Sequence, residues 1–199
     1  MYFINEPFET NPPLPPQSAD DFFPGYGSEV AGMPLQRAGG LVDHGPAPYA
    51  VNLKRIAAEN TTYRTALWTG KHLQLTVMSI NVGSDIGLEI HPHTDQLIRV
   101  EAGSGIVFMG KRRERPDFQA AVSENDTFII PAGTWHNVVN TGNRALKVSS
   151  VYAPPQHPHG TVHVTRADAE AAERSGNGLP AQRQPVMYTP SMGDNVGRY

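Results

Sequence analysis

The feature that most constrains the fold is a succession of short strand-like segments between residues 63 and 152. Each segment is rich in β-branched, aromatic and aliphatic residues and is bounded by Gly, Pro, Asn or Asp. Together with 19 Gly and 18 Pro, this regular spacing predicts an all-β fold, an antiparallel barrel or sandwich. The charge run at 111–117 is expected to be a solvated hairpin loop. The predicted strands lie at residues 72–80, 96–101, 105–110, 126–131, 136–140 and 145–152.

The regions on either side of these strands differ in composition. Residues 1–47 hold eight Pro and six Gly, a density of breakers that excludes continuous regular structure. Six aromatic residues in the same stretch leave two interpretations open, a disordered leader or an extended arm that docks on the barrel or on a neighbouring subunit. We expect the barrel at residues 48–164 and a C-terminal helix with a flexible tail at 165–199.

Two short helices are predicted outside the strands. One covers residues 53–58, with Asn52 as its N-cap. The other covers residues 166–174, where Thr165 and Asp168 form a variant of the capping box.

Several classes of function and location are disfavoured by composition. A net charge of −3 gives no electrostatic support for nucleic-acid binding. The absence of Cys excludes disulfides, thiolate nucleophiles and Cys-ligated zinc. The first residues lack the features of a signal peptide, and no run of about 18 apolar residues occurs, so we expect no membrane span and a cytoplasmic location.

Four polar residues are candidates for one metal site. Side chains alternate along a strand, so His91 and His93 are expected to face the same way and share a cation. Gln96 is the first residue of the next predicted strand, and alternation places its side chain on the same face as the core-facing residues of that strand. The turn at 131–133 would deliver His136 to the mouth of the barrel.

A simpler interpretation exists for each of these residues. An inward histidine on a strand is more often a hydrogen-bonded structural residue than a metal ligand. His-Pro-His also occurs in exposed loops. The metal hypothesis therefore depends on the whole arrangement, in which Gly residues flank the histidine pair and an Asp-x4-Pro-x-Gly-x2-His-x3-Asn run follows at residues 126–140.

This arrangement resembles the cupin superfamily, in the single-domain form with an RmlC-like jelly roll. The stretch GSDIGLEIHPHTDQLIRVEAG (83–103) is similar to the first cupin motif, and DTFIIPAGTWHNVVN (126–140) is similar to the second. The resemblance covers roughly residues 60–155. It implies a double-stranded β-helix in which His91, His93 and His136 bind one divalent ion, with iron, manganese, nickel and zinc all open.

The chain departs from the family pattern at the fourth ligand. A typical cupin has Glu there, whereas the best-placed residue here is Gln96, whose neutral amide oxygen would leave more positive charge on the metal. Glu89 shares the parity of His91 and is expected to face the cavity. It is a candidate catalytic residue, as a general base, but it could equally be a substitute ligand or one half of a buried pair with an arginine. Asp95 is expected to be a surface turn residue.

The remaining histidines are weaker candidates. His44 and His72 are expected to be exposed. His157, His159 and His163 are interpreted as a surface stretch, with a second metal site as the less favoured alternative.

Two functions from different classes remain open. The first is a metal-dependent enzyme acting on a small oxygenated molecule, sugar-like or carboxylate, of dioxygenase, isomerase or decarboxylase type. Similar chains are loosely grouped as phosphomannose isomerase-like, but the sequence shows no inward phosphate-binding cluster. The second is a non-catalytic cupin that binds a small molecule or has a structural role. In both cases we expect a homodimer.

Overall fold

The structure, a computed structural model, describes residues 41–175, within which the chain forms nine strands and two helices. The helices are α1 (Leu53–Glu59) and α2 (Arg166–Arg174). The strands are β1 (Arg64–Thr69), β2 (Gln74–Ile80), β3 (Asp95–Ala102), β4 (Ser104–Gly110), β5 (Phe118–Ser123), β6 (Thr127–Ile130), β7 (Trp135–Val139), β8 (Leu146–Ala153) and β9 (Val162–His163).

The strands form two antiparallel sheets. The larger has six strands in the order β6-β3-β8-β2-β1-β9, and the smaller has three in the order β5-β4-β7. The main hydrophobic core includes Val100 and Val148 from the larger sheet and Val107 and Val138 from the smaller. This arrangement confirms the predicted all-β class.

The predicted segments match the observed strands to within two residues at each end. The sequence did not single out β1, β5 or β9. The strand β5 was missed because Phe118–Ser123 contains two alanines and follows directly on the charge run at 111–117, which is a largely exposed hairpin loop. The predicted arm at 1–47 and the tail at 165–199 lie largely outside the described residues, so the domain boundaries stay a prediction.

Both helices begin at the predicted caps. The Asn52 side chain accepts a hydrogen bond from the Arg55 amide. At α2, the Thr165 hydroxyl accepts from the Asp168 amide while the Asp168 carboxylate accepts from the Thr165 amide, which completes the capping box. Neither described helix is long or apolar enough to cross a membrane.

The inner face of the six-stranded sheet changes from polar to apolar in successive rows. Cross-strand pairing aligns one buried residue each from β3, β8 and β2, so every row contains three side chains. Because the polar rows end at one end of the barrel, that end can hold a site while the other end supplies the core. The rows are Gln96–Tyr152–Gln74, then Ile98–Ser150–Thr76, then Val100–Val148–Met78.

The opposite face of this sheet carries a row of apolar side chains that we call the outer apolar row. It runs Ile129–Leu97–Val151–Leu75, each residue paired in register with the next. Ile129 is 62% exposed and Leu97 36% exposed. Apolar side chains aligned across four strands form a larger exposed surface than scattered single residues do.

Candidate metal centre

The candidate site is built where the connection between β2 and β3 runs beside β7. The connection has no strand of its own, but it pairs with β7 at two isolated bridges, Asp85–Val139 and Glu89–His136. At the second bridge the Glu89 amide donates to the His136 carbonyl at 3.0 Å and the His136 amide donates to the Glu89 carbonyl at 2.9 Å. These backbone hydrogen bonds therefore place the side chains of Glu89 and His136 next to each other.

His91 is held by the turn that precedes β7. The amide of Gly133 donates to the His91 carbonyl at 2.9 Å. Gly133 has φ +69°, a conformation that side-chain-bearing residues rarely adopt, so this close turn favours glycine. The Pro131-Ala132-Gly133 turn thus positions His91 as well as the following His136.

Three ligand atoms meet at the centre of the site. Glu89 Oε1 lies 3.4 Å from His136 Nε2 and 3.6 Å from His91 Nε2, and the three residues form one group whose ligand atoms all lie within 4.8 Å of each other. Two ligands each about 2.1 Å from one ion are about 3.4 Å apart at a tetrahedral angle. The spacing therefore fits a shared cation.

The tautomer of His136 is fixed by its neighbour. Its Nδ1 lies 3.0 Å from the Thr134 carbonyl, which can only accept, so Nδ1 must carry a proton. In a neutral ring Nε2 then carries a lone pair, and this lone pair points at the Glu89 carboxylate. Two acceptors facing each other at 3.4 Å, in a buried place, repel unless a cation or a proton lies between them.

Gln96, at the start of β3, is the candidate for a fourth ligand, through its amide oxygen. Its side chain is 2% exposed, and its Oε1 is buried with no hydrogen-bond partner among the described residues. Gln96 lies opposite Tyr152 in the first polar row, and the Tyr152 ring contacts His91 edge to face at 5.8 Å. His91 Nε2 and His136 Nε2 are likewise buried without such a partner. A set of buried acceptors with nothing to accept from suits a cation.

The comparisons with known proteins agree with this architecture. A family model described as Cupin domain matches residues 76–152. The uncharacterized protein YrkC of Bacillus subtilis (strain 168) is 59% identical over 133 residues, 67% of this chain and 72% of YrkC. The uncharacterized protein L612 of Acanthamoeba polyphaga mimivirus is 40% identical over 119 residues, 59% of this chain and 72% of L612. The crystal structure of BH2720 from Bacillus halodurans superposes with a TM-score of 0.65 at 61% identity, over 66% of this chain and 99% of that one.

The chain belongs to the cupin superfamily. Membership confirms the jelly-roll fold that the two sequence motifs implied, and the matched region includes all four residues of the candidate site.

The cupin site differs from the sequence expectation at His93. The expectation that His91 and His93 face the same way is wrong, because residues 91–94 form a turn around Pro92 and do not continue a strand. His93 is exposed, whereas His91 is 3% exposed. Alternation places Glu89 and His91 on the inner side, so the inward pair is Glu89-x-His91.

The other residues of the cupin motifs have structural positions. Asn140 is buried, donates to the carbonyls of Ile80 and Arg144, and accepts from the Gly142 amide, so it closes the turn after β7. Asp95 is exposed and accepts from the Ala132 amide, consistent with the surface turn role expected for it.

The histidines outside the motifs fall into two groups. His72 and His159 are exposed, whereas His44, His157 and His163 are half-buried. His44 stacks on Tyr49 with ring centroids 4.3 Å apart. The expectation of an exposed His44 and of a wholly surface stretch at 157–163 is therefore corrected, since part of that stretch packs on the barrel.

His157 packs directly beside the site. Its ring contacts the Tyr152 ring edge to face at 5.2 Å, and Tyr152 in turn contacts His91. Burial, reinforced by the charge of Arg64, holds the pKa of His157 well below its usual range. Burial and the charge of Glu89 raise the pKa of Tyr152 against the opposing effect of Arg64. Tyr152 and Arg64 are both fully buried, and the sequence did not identify either as part of the site.

Gln74 fixes the segment that carries His157 over the end of the barrel. Its amide nitrogen donates to the His157 carbonyl and to the Thr69 hydroxyl, each at 2.9 Å. Its amide oxygen accepts from the backbone amides of Gln156 and His157. One buried side chain thereby satisfies three backbone groups of the covering segment.

Proposed function

We propose that Glu89, His91, Gln96 and His136 hold one divalent metal ion and that this cupin is a metal-dependent enzyme acting on a small oxygenated molecule. The observation that carries the proposal is the Nε2 lone pair of His136, aimed at the Glu89 carboxylate oxygen 3.4 Å away. A cation between the two atoms turns that repulsion into two coordination bonds.

The donor set suits a transition metal. Two imidazoles, one carboxylate and one amide oxygen are ligands that iron, manganese, nickel and zinc all accept. With Glu89 as a ligand, a dipositive ion keeps about one unit of positive charge, so Glu89 restores the charge that the neutral Gln96 does not supply. A bound ion of this kind polarises a substrate oxygen.

Each protein residue has a separate part in the proposed centre. Thr134 holds the His136 ring in the tautomer that leaves Nε2 available. The bridge between Glu89 and His136 keeps the carboxylate in place. Glu89 is therefore proposed as a ligand first, and as a general base only when it is released from the ion.

Deep burial favours a second candidate function, a non-catalytic cupin that binds a metal or a small molecule. Glu89, His91, Gln96 and His136 are all at most 3% exposed, which suits a sealed site as well as an enzyme that opens to admit substrate. Elemental analysis of protein purified without chelator or added metal tests for the ion itself. Near-stoichiometric metal is expected, and a metal-free protein would contradict the proposal.

Water access to the ion separates the two candidates. In protein loaded with Mn²⁺, enhanced relaxation of bulk-water protons reports exchange of solvent with the ion. An enzyme must exchange its ligands, so strong enhancement supports catalysis. If the relaxation rate is no higher than expected for an ion that exchanges no water with the solvent, the non-catalytic role is supported. A cytoplasmic location and a homodimer remain parts of the proposal, and the outer apolar row supports the homodimer.

A further inference from the structure

The polar rows of the barrel contain hydroxyls that the metal ligands do not use. Tyr152, Ser150 and Thr76 are fully buried, and their hydroxyl oxygens form no well-aligned hydrogen bond to a described residue. Within residues 41–175, the side-chain hydroxyls with which the Tyr152 hydroxyl interacts are those of Ser150 and Thr76. Thr76 and Ser150 are direct cross-strand partners, and Tyr152 lies two residues further along β8. Two contacts among three hydroxyls leave at least one O–H donor unused, which is uncommon for buried groups, so this wall of the barrel is suited to a bound polar group.

Tyr152 joins this wall to the candidate metal centre. Its ring contacts His91 on one side, with centroids 5.8 Å apart, and His157 on the other at 5.2 Å. Nε2 of His157 is also buried without a hydrogen-bond partner among residues 41–175. His157 lines a surface cavity of about 190 Å³ together with Thr161 and His163. The wall therefore lies between the ligands and a depression open to solvent.

The positive charge of this region comes from Arg64. Arg64 is 1% exposed, its guanidinium lies 5.5 Å from the centroid of the Tyr63 ring, and its charge acts on both Tyr152 and His157. Glu89 supplies one negative charge to the same cluster. A divalent ion together with Arg64 exceeds that charge by two units. A buried excess of positive charge favours an anionic ligand.

We propose that Tyr152, Arg64 and His157 form a carboxylate-binding subsite beside the metal centre, so that the small oxygenated substrate is a carboxylate. The inference rests on the proposed function and deepens it. A carboxylate has two oxygens, one of which can face the ion while the other accepts from the Tyr152 hydroxyl. Arg64 supplies the compensating charge, and charged hydrogen bonds are stronger than neutral ones.

The test compares acetate with acetamide, which has the same shape and no charge, on the full-length metal-loaded protein. Affinities are measured by calorimetric titration, and metal content is determined on every sample. The variant is Tyr152→Phe, which removes the hydroxyl and keeps the ring against His91. The matched control is Tyr63→Phe, which removes a buried tyrosine hydroxyl that donates to the Ile86 carbonyl.

Wild type is expected to bind acetate at least about tenfold more tightly than acetamide. Tyr152→Phe should retain its metal and lose about tenfold in acetate affinity, and Tyr63→Phe should keep the wild-type affinity. Unchanged acetate affinity in Tyr152→Phe, or equal binding of the two probes by wild type, would overturn the subsite. If Tyr152→Phe does not fold, the comparison of the two probes on metal-free wild type decides, because the ion itself would favour acetate.

Failure of the proposed function gives a different result. Wild type would then retain no metal, and the same titrations would be made on the metal-free protein. A tenfold difference in acetate affinity between wild type and Tyr152→Phe would still uphold the subsite, because its donors belong to the protein. Equal affinities would overturn it.

Discussion

Glu89 and His136 are joined twice, once by a reciprocal pair of backbone hydrogen bonds and once by a side-chain approach of 3.4 Å between Oε1 and Nε2. The first contact determines the second, because the bridge holds the two Cα atoms at a fixed separation. The distance between the carboxylate and the imidazole is thus set by the fold before any ligand arrives. Such preorganisation lowers the free energy needed to assemble a site.

The histidines of the site differ in their expected effect on metal retention. Replacing His91 and His136 together with Ala should abolish retention, because half of the proposed ligands are removed. His93→Ala should retain the metal, because His93 is exposed. Metal content after exhaustive dialysis checks both. Full retention by the double variant would contradict the site, and loss in His93→Ala would restore His93 as a ligand.

Gln96→Glu replaces an amide oxygen by a carboxylate with almost no change in shape. If Gln96 is a ligand, metal binding should tighten by at least tenfold, about 1.4 kcal/mol. Without metal, two buried carboxylates would stand close together and the free protein should be less stable. Competitive chelator titration gives the affinity, and Gln119→Glu on the exposed face of β5 is the control. Weaker binding in Gln96→Glu would show that Gln96 is not a ligand.

The depressed pKa of His157 predicts a loss of stability in acid. The unfolded chain takes up a proton near the usual pKa of 6.5 while the folded protein does not. Stability should therefore fall as pH decreases below about 6.5, by at most about 1.4 kcal/mol per pH unit for this one proton. The free energy of unfolding, measured by denaturant titration between pH 7 and 5, should depend less on pH in His157→Gln than in wild type. In His72→Gln its dependence on pH should be the same as in wild type. Equal slopes in wild type and His157→Gln would refute it.

Gln74→Ala should loosen the segment that covers the site. Three backbone groups of Gln156 and His157 lose their partner, which is expected to destabilise the protein by about 2–4 kcal/mol. Hydrogen exchange at residues 156 and 157 should accelerate, and metal should dissociate faster. The exposed Gln119→Ala should change neither. Protection that survives in Gln74→Ala would mean that other contacts hold the cover.

The outer apolar row is where we expect the proposed homodimer to form its interface. Ile129→Lys places a charge at the most exposed residue of that row, on the edge strand β6, and should shift the protein toward monomer, as measured by light scattering. Val42→Lys, at another exposed apolar residue, is the control. The contribution of the arm is tested separately with a chain truncated to begin at Tyr49. A monomeric wild type would contradict the dimer, and an unaltered dimer after truncation would exclude a role for the arm.

Much of the fold could be predicted because local sequence patterns determine where strands form. β-branched runs and Gly/Pro boundaries determine where β3, β4 and β8 begin and end, and the capping box determines the start of α2. Most of the site followed from the same pattern. Strand alternation placed Glu89 and Gln96 inward, and the turn before His136 does bring it to the ligands.

The rest depends on features that spacing does not contain. Pro92 ends the alternation after His91, so the parity that was correct at Glu89 fails at His93. Tyr152 had the parity of an inward residue, but only the register of β8 against β3 places it beside Gln96. Arg64 reaches the site because its long side chain lies inside the barrel, which a strand pattern does not predict for an arginine.

The proposed ligands come from both halves of the sandwich. Gln96 belongs to the six-stranded sheet and His136 to the three-stranded sheet, and Glu89 and His91 lie on the β2–β3 connection, which pairs with β7 of the smaller sheet. An ion bound by all four would cross-link the two sheets. A force pulling the sheets apart would then have to break coordination bonds before the core could separate. Loss of the ion would then change how the protein yields under load, from rupture at one point to gradual peeling of strands.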